Sequence, residues 1–108
     1  MSGAASRALV AVGRADDVPP DEGRAVTVAG RRIAVFNTAG GFRAVDAACP
    51  HRCGPLADGL VGGGRVICPL HGWRIDLASG EVVAGGEGRV AAYEVVERDG
   101  WLYLAVDG

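Results

Sequence analysis

Two short segments, CPHRCGPLADG (residues 49–59) and CPLHGWRID (residues 68–76), contain both histidines and all three cysteines of the chain. Each offers a thiol and an imidazole at close spacing: Cys49-x-His51, sixteen intervening residues, then Cys68-x2-His71. A proline directly follows Cys49 and Cys68 in each case (Pro50 and Pro69). Two soft thiolates and two imidazoles are a ligand set for zinc or for an iron–sulfur cluster. Structural zinc sites usually draw on knuckles of like ligands, of the form C-x2–4-C and H-x3–5-H. Here each loop donates one ligand of each kind. That division suits a binuclear centre, with two thiolates on one metal and two imidazoles on the other, clamped between the loops. Cys49, His51, Cys68 and His71 are therefore the candidate metal ligands.

Loops of this kind need a rigid frame, and the flanking sequence predicts strands. No long window repeats apolar residues at i, i+3, i+4 and i+7. Short β-branched and aromatic runs recur instead between Gly, Pro and Asp. Ala8 to Val12 reads as a first strand, followed by the turn-rich DDVPPDEG. Ala25 to Val28 and Arg31 to Phe36 read as a hairpin across Ala29-Gly30, with Ile33 and Val35 alternating against Arg32, Ala34 and Phe36. Phe42 to Asp46, Arg65 to Cys68, Trp73 to Leu77 and Glu81 to Ala84 follow as further strands. A final hairpin pairs Val90 to Glu97 with Trp101 to Val106 across Arg98-Asp99-Gly100. Short strands at this spacing predict an all-β antiparallel sandwich or open barrel. Asp46, Asp58 and Asp76 read as turn or strand-end residues.

Composition narrows the function classes. At 108 residues the chain is expected to form one domain, 1–108, with a single modest core. The net charge of −2 leaves no electrostatic footprint for nucleic acid or an anionic membrane. All eleven basic residues are Arg. The N-terminal apolar run, Ala8 to Gly13, is too short for a signal peptide or a membrane helix. A cytoplasmic location is expected. Three cysteines, an odd number, argue against a disulfide framework and for metal binding or a free thiol. There are no paired carboxylates in an evident cleft and no Ser/His/Asp set, so nothing reads as a substrate-turnover site.

With these motifs in view, the chain resembles the Rieske ferredoxins, whose pattern is C-x-H, a spacer of about fifteen to seventeen residues, then C-x2-H. CPHRCGPLADG and CPLHGWRIDLASG match closely, including Pro55-Leu56 and Gly72-Trp73, and the flanking strands extend the resemblance from roughly Ala8 to Val106. The resemblance implies a Rieske-like fold whose cluster-binding subdomain is built from two loops, about 49–55 and 68–73. It also implies one 2Fe–2S cluster, with Cys49 and Cys68 on the inner iron and His51 and His71 on the outer iron near the surface.

Departures from the pattern refine what is implied. Rieske proteins of the respiratory cytochrome bc type join their loops by a disulfide, reading C-x-H-x-G-C and C-P-C-H-G-S-x-Y. Here Cys53 falls one residue early and Leu70 stands where its partner would be, so Cys53 is expected to be a free thiol. The Ser and Tyr hydroxyls that raise the potential there are replaced by Trp73 and Ile75. A potential toward the low end of the Rieske range is therefore expected. Trp73 reads as a packing residue. Arg52 and Arg74 flank the histidines and offer charge to an acidic partner.

The implied function is a one-electron carrier, not an enzyme. It would pass electrons from a flavin or NAD(P)H reductase to a terminal oxygenase or similar redox partner. Two other readings stand beside it: the small subunit of an NAD(P)H-dependent nitrite reductase, and a zinc-stabilised β binding module.

Overall fold

The computed structural model describes residues 7–47, 56–69 and 72–107. Among these residues the chain forms eleven strands. The first four are β1 (Arg7–Arg14), β2 (Gly23–Val28), β3 (Arg31–Thr38) and β4 (Gly41–Asp46). Four short ones follow: β5 (Leu60–Gly62), β6 (Arg65–Ile67), β7 (Arg74–Asp76) and β8 (Val82–Ala84). The last three are β9 (Ala92–Tyr93), β10 (Val95–Arg98) and β11 (Trp101–Asp107). Short 3-10 turns at Ala15–Asp17 and Leu56–Asp58 link some of them. The strands pair antiparallel in three sheets, ordered β1-β11-β10, β2-β3-β4-β9 and β5-β6-β7-β8. The all-β expectation holds.

Local chemistry sets the hairpins. Val28 pairs with Arg31 across Ala29 (φ 52°) and Gly30 (φ 79°). Gly62 pairs with Arg65 across Gly63 (φ 59°) and Gly64 (φ 77°). Two-residue turns with both central residues at positive φ have the twist that right-handed strands require. Ala29 adopts this conformation despite its Cβ, at a cost of about 1–2 kcal/mol.

The centre of the molecule is β3, which is covered on both faces. Ile33 and Val35 face a cluster with Val18, Val28, Ala44, Leu102 and Leu104 toward the β1-β11-β10 sheet. Ala34 and Phe36 face a second cluster, shared with Val45, Leu56, Val66 and Ile75 from the unit that carries β5 to β8. Neighbouring residues on β3 therefore serve opposite cores. This differs from the one-sided alternation read in the sequence. The cause is that a sheet buried between two layers selects apolar residues on both faces.

Three boundaries also differ from expectation. β5 pairs with β6 where only a glycine cluster was read, and β7 is confined to Arg74–Asp76. The single strand expected over Val90 to Glu97 is two strands in different sheets. β9 pairs with β4, whereas Glu94 accepts a bond from Ala105 N–H (3.0 Å) as β10 joins β11. A continuous β-forming run does not show in sequence where it changes partner.

Candidate metal centre

Both Cys/His segments spring from closed necks. For the first, Leu56 N–H donates to the Ala47 carbonyl (2.8 Å), while Ala47 N–H donates to Arg32 on β3 (3.0 Å). Leu56 opens a 3-10 turn whose end is tied by Gly59 N–H to the Leu56 carbonyl (2.9 Å). Gly59 rests directly on β6: a Cβ there would lie 2.7 Å from Val66 Cγ2 and would meet the Ile67 carbonyl. For the second, Cys68 N–H donates to the Trp73 carbonyl (2.8 Å), and Gly72 N–H donates to the Cys68 carbonyl (3.1 Å). Gly72 takes φ 72°, which lets the chain turn back at this point.

The two necks meet. Ala47, Leu56, Val66 and Cys68 belong to one buried cluster, and Cys68 is only 2% exposed. Of the four sequence-predicted ligands, Cys68 is the one placed within the described residues; Cys49, His51 and His71 lie outside them, as do Arg52 and Cys53. Cys68 is buried where the second neck leaves the cluster, and a thiolate held there fits the sulfur side of a mixed Cys/His donor set.

Trp73 packs half-buried against the same cluster, in line with its packing reading. Its ring lies on the Gly85-Gly86 backbone. A Cβ on Gly85 would stand 3.0 Å from Trp73 Cδ1, and one on Gly86 would overlap Cζ2, Cε2 and Cη2. The glycines of AGGEG were visible in the sequence, but nothing there tied them to Trp73. Ile75 is fully buried in the cluster, and its hydrocarbon side chain supplies no hydroxyl. Asp76 ends β7 and accepts a bond from Ala78 N–H (2.9 Å), as a turn residue should.

Asp46, also at a strand end, does more than turn the chain. Its carboxylate accepts from Tyr93 Oη–H (2.7 Å) and from Ala91 N–H (3.0 Å). Burial, and then the bond to Asp46, push the Tyr93 hydroxyl above its ordinary pKa; the Arg31 guanidinium opposes this more weakly. Arg31 Nη1 lies 3.5 Å from the hydroxyl oxygen.

The family model for the Rieske [2Fe-2S] domain matches residues 8–94. The chain belongs to the Rieske family. Rieske domains hold a [2Fe-2S] cluster, and this Rieske chain carries one. It is 35% identical over 89 residues to the methanesulfonate monooxygenase ferredoxin subunit of Methylosulfonomonas methylovora, covering 82% of this chain and 72% of that one. It is 34% identical over 68 residues to the ferredoxin component of the naphthalene 1,2-dioxygenase/salicylate 5-hydroxylase systems of Ralstonia sp, covering 63% and 65%. A 43% identical stretch of 58 residues covers 53% of the Rieske chain but only 16% of the 4beta-methylsterol monooxygenase of Methylococcus capsulatus.

Among solved structures, the Sphingomonas yanoikuyae B1 ferredoxin superposes with a TM-score of 0.81 at 28% identity, covering 94% of this chain and 99% of that one. A protein assigned as the small subunit of an NADPH nitrite reductase superposes at 0.78 with 25% identity, covering 90% and 97%. Among the described residues no helix is long and apolar enough to cross a membrane.

Proposed function

We propose that this Rieske chain is a ferredoxin, a one-electron carrier working in the cytoplasm between a flavin or NAD(P)H reductase and a terminal oxygenase or similar acceptor. The observation that supports this most directly is the meeting of both loop necks at one buried cluster containing Cys68. On that frame Cys49 and Cys68 hold one iron and His51 and His71 the other. The bound cluster supplies the redox chemistry, taking up and releasing one electron.

The chain's own residues supply the rest. The closed necks fix where the ligand segments begin and end. Trp73, seated on Gly85-Gly86, packs against the buried cluster that contains Cys68. Arg74, exposed on β7, and Arg52 place positive charge beside the histidines in sequence, suited to an acidic partner. The whole of 1–108 serves as one Rieske unit without a substrate-turnover site of its own.

Electron paramagnetic resonance of the dithionite-reduced protein, with iron and acid-labile sulfide analysis, tests the reading. The expected result is a reduced-cluster signal with average g below the free-electron value and about two irons and two sulfides per chain. A silent spectrum with one zinc per chain would sink it. The near-complete superposition on a nitrite reductase small subunit favours a second reading, in which the same carrier serves nitrite reduction. Comparing reoxidation of the reduced chain by an oxygenase component and by a nitrite reductase large subunit separates the two.

A further inference from the structure

β4 ends at Asp46, and only Ala47 separates that residue from the segment that begins at residue 48. On one side β3 pairs with this end as far as Asp46, opposite Ile33, whereas on the other side β9 matches β4 at just two positions, Ala44 with Tyr93 and Val45 with Ala92. One backbone bond continues the pairing, from Asp46 N–H to the Ala91 carbonyl (3.0 Å). The carboxylate adds two more, one oxygen accepting from Ala91 N–H (3.0 Å) and the other from the Tyr93 hydroxyl (2.7 Å). Beyond this point Ala47 bonds elsewhere, to Arg32 on β3 and to Leu56 across the neck. The Asp46 carboxylate is thus the bridge between β9 and the root of the first Cys/His segment.

We propose that Tyr93 is a positioning residue for the iron–sulfur centre, acting through Asp46. Its hydroxyl latches the carboxylate that fixes the strand end from which the Cys49/His51 segment departs. This rests on the carrier reading, in which that segment holds two of the four ligands. Removing the hydroxyl leaves a partly buried carboxylate oxygen without its donor. The strand end from which the ligand segment departs is then held by fewer bonds. Groups that orient metal ligands from outside the coordination sphere typically change metal affinity by 10–100-fold when removed.

The experiment compares holo wild type with Tyr93→Phe, Asp46→Ala and the double variant. Cluster loss to an iron chelator is followed by visible absorbance, alongside the reduced-state paramagnetic spectrum and native-state hydrogen exchange of the β3 amides. Tyr93→Phe is expected to lose its cluster about tenfold faster than wild type and to show a broadened spectrum, with β3 protection unchanged. The double variant is expected to be no faster than Asp46→Ala, since the hydroxyl acts only through the carboxylate.

A Tyr93→Phe protein with the wild-type rate and spectrum would overturn the latch while leaving the carrier reading intact. So would faster cluster loss matched by an equal loss of β3 protection, which would mark a general weakening of the fold. A wild type without any cluster signal would overturn both.

Discussion

Replacing Gly86 with alanine tests the seat beneath Trp73. The added methyl would overlap Cζ2, Cε2 and Cη2 of the indole, so the ring must move to restore ordinary carbon contacts of about 3.5–4.0 Å. Gly86 is not among the positive-φ residues, so alanine brings no left-handed strain there. The penalty is therefore one of overpacking, about 1–3 kcal/mol. The stiffer unfolded chain returns about 0.4–1 kcal/mol. The net expectation is a loss of about 1–2 kcal/mol. For a domain of this size that lowers the melting temperature by roughly 4–16 °C.

The assay is thermal unfolding followed by circular dichroism, together with tryptophan emission in a Trp101→Phe background. Trp101 is 41% exposed and would otherwise obscure the Trp73 signal. Gly64→Ala is the control. Its φ of 77° strains alanine, but no atom lies within 4 Å of the new methyl. It should lose stability with Trp73 emission unchanged, whereas Gly86→Ala should lose stability and shift the emission. A Gly86→Ala protein as stable as its parent, with the same emission, would refute the packing of Trp73 on this backbone.

Four other outcomes are expected. Phe36→Ala, which empties a fully buried site between β3 and the loop-bearing unit, should cost about 3–5 kcal/mol in urea unfolding, against a much smaller loss for Phe36→Leu. Cys68→Ser should abolish the red-brown absorbance and leave the purified protein with well under one cluster per chain, measured as iron and labile sulfide. Redox titration should place the potential toward the low end of the Rieske range, near about −150 mV, because Trp73 and Ile75 stand where hydroxyl donors raise it. Because folding raises the Tyr93 pKa, the native state holds that proton more tightly than the unfolded chain. The associated stability should be complete below about pH 10 and fall as pH rises through the raised value, and Tyr93→Phe should lack this alkaline share of the loss in urea unfolding.

Most of the strands were legible because β-branched runs alternate with glycine turns along the whole chain. The candidate ligand set was read from short local patterns, Cys49-x-His51 and Cys68-x2-His71, of which Cys68 lies within the described residues. What could not be read depends on meetings across the fold. Asp46 and Tyr93 are 47 positions apart, and an aspartate at a strand end has the same appearance whether or not a tyrosine reaches it. The seat of Trp73 is formed by the absence of side chains on Gly85 and Gly86, which in a glycine-rich sequence carries no label. Ile33 to Phe36 suggested one buried face, because a strand's own sequence does not say that a second layer covers the other. The partner change at Glu94 was hidden for a like reason: Tyr93 to Val96 favours extended backbone in either sheet.

The bond between Leu56 N–H and the Ala47 carbonyl bears on how this scaffold tolerates change. It closes the frame beneath an eight-residue insert, residues 48–55, so the sheets on either side need not register the insert's length. Doubling such a loop costs only about 0.6 kcal/mol in closure entropy. The scaffold therefore works as a socket. A change of length between Ala47 and Leu56 is expected to leave β3, β4 and their two cores as they are.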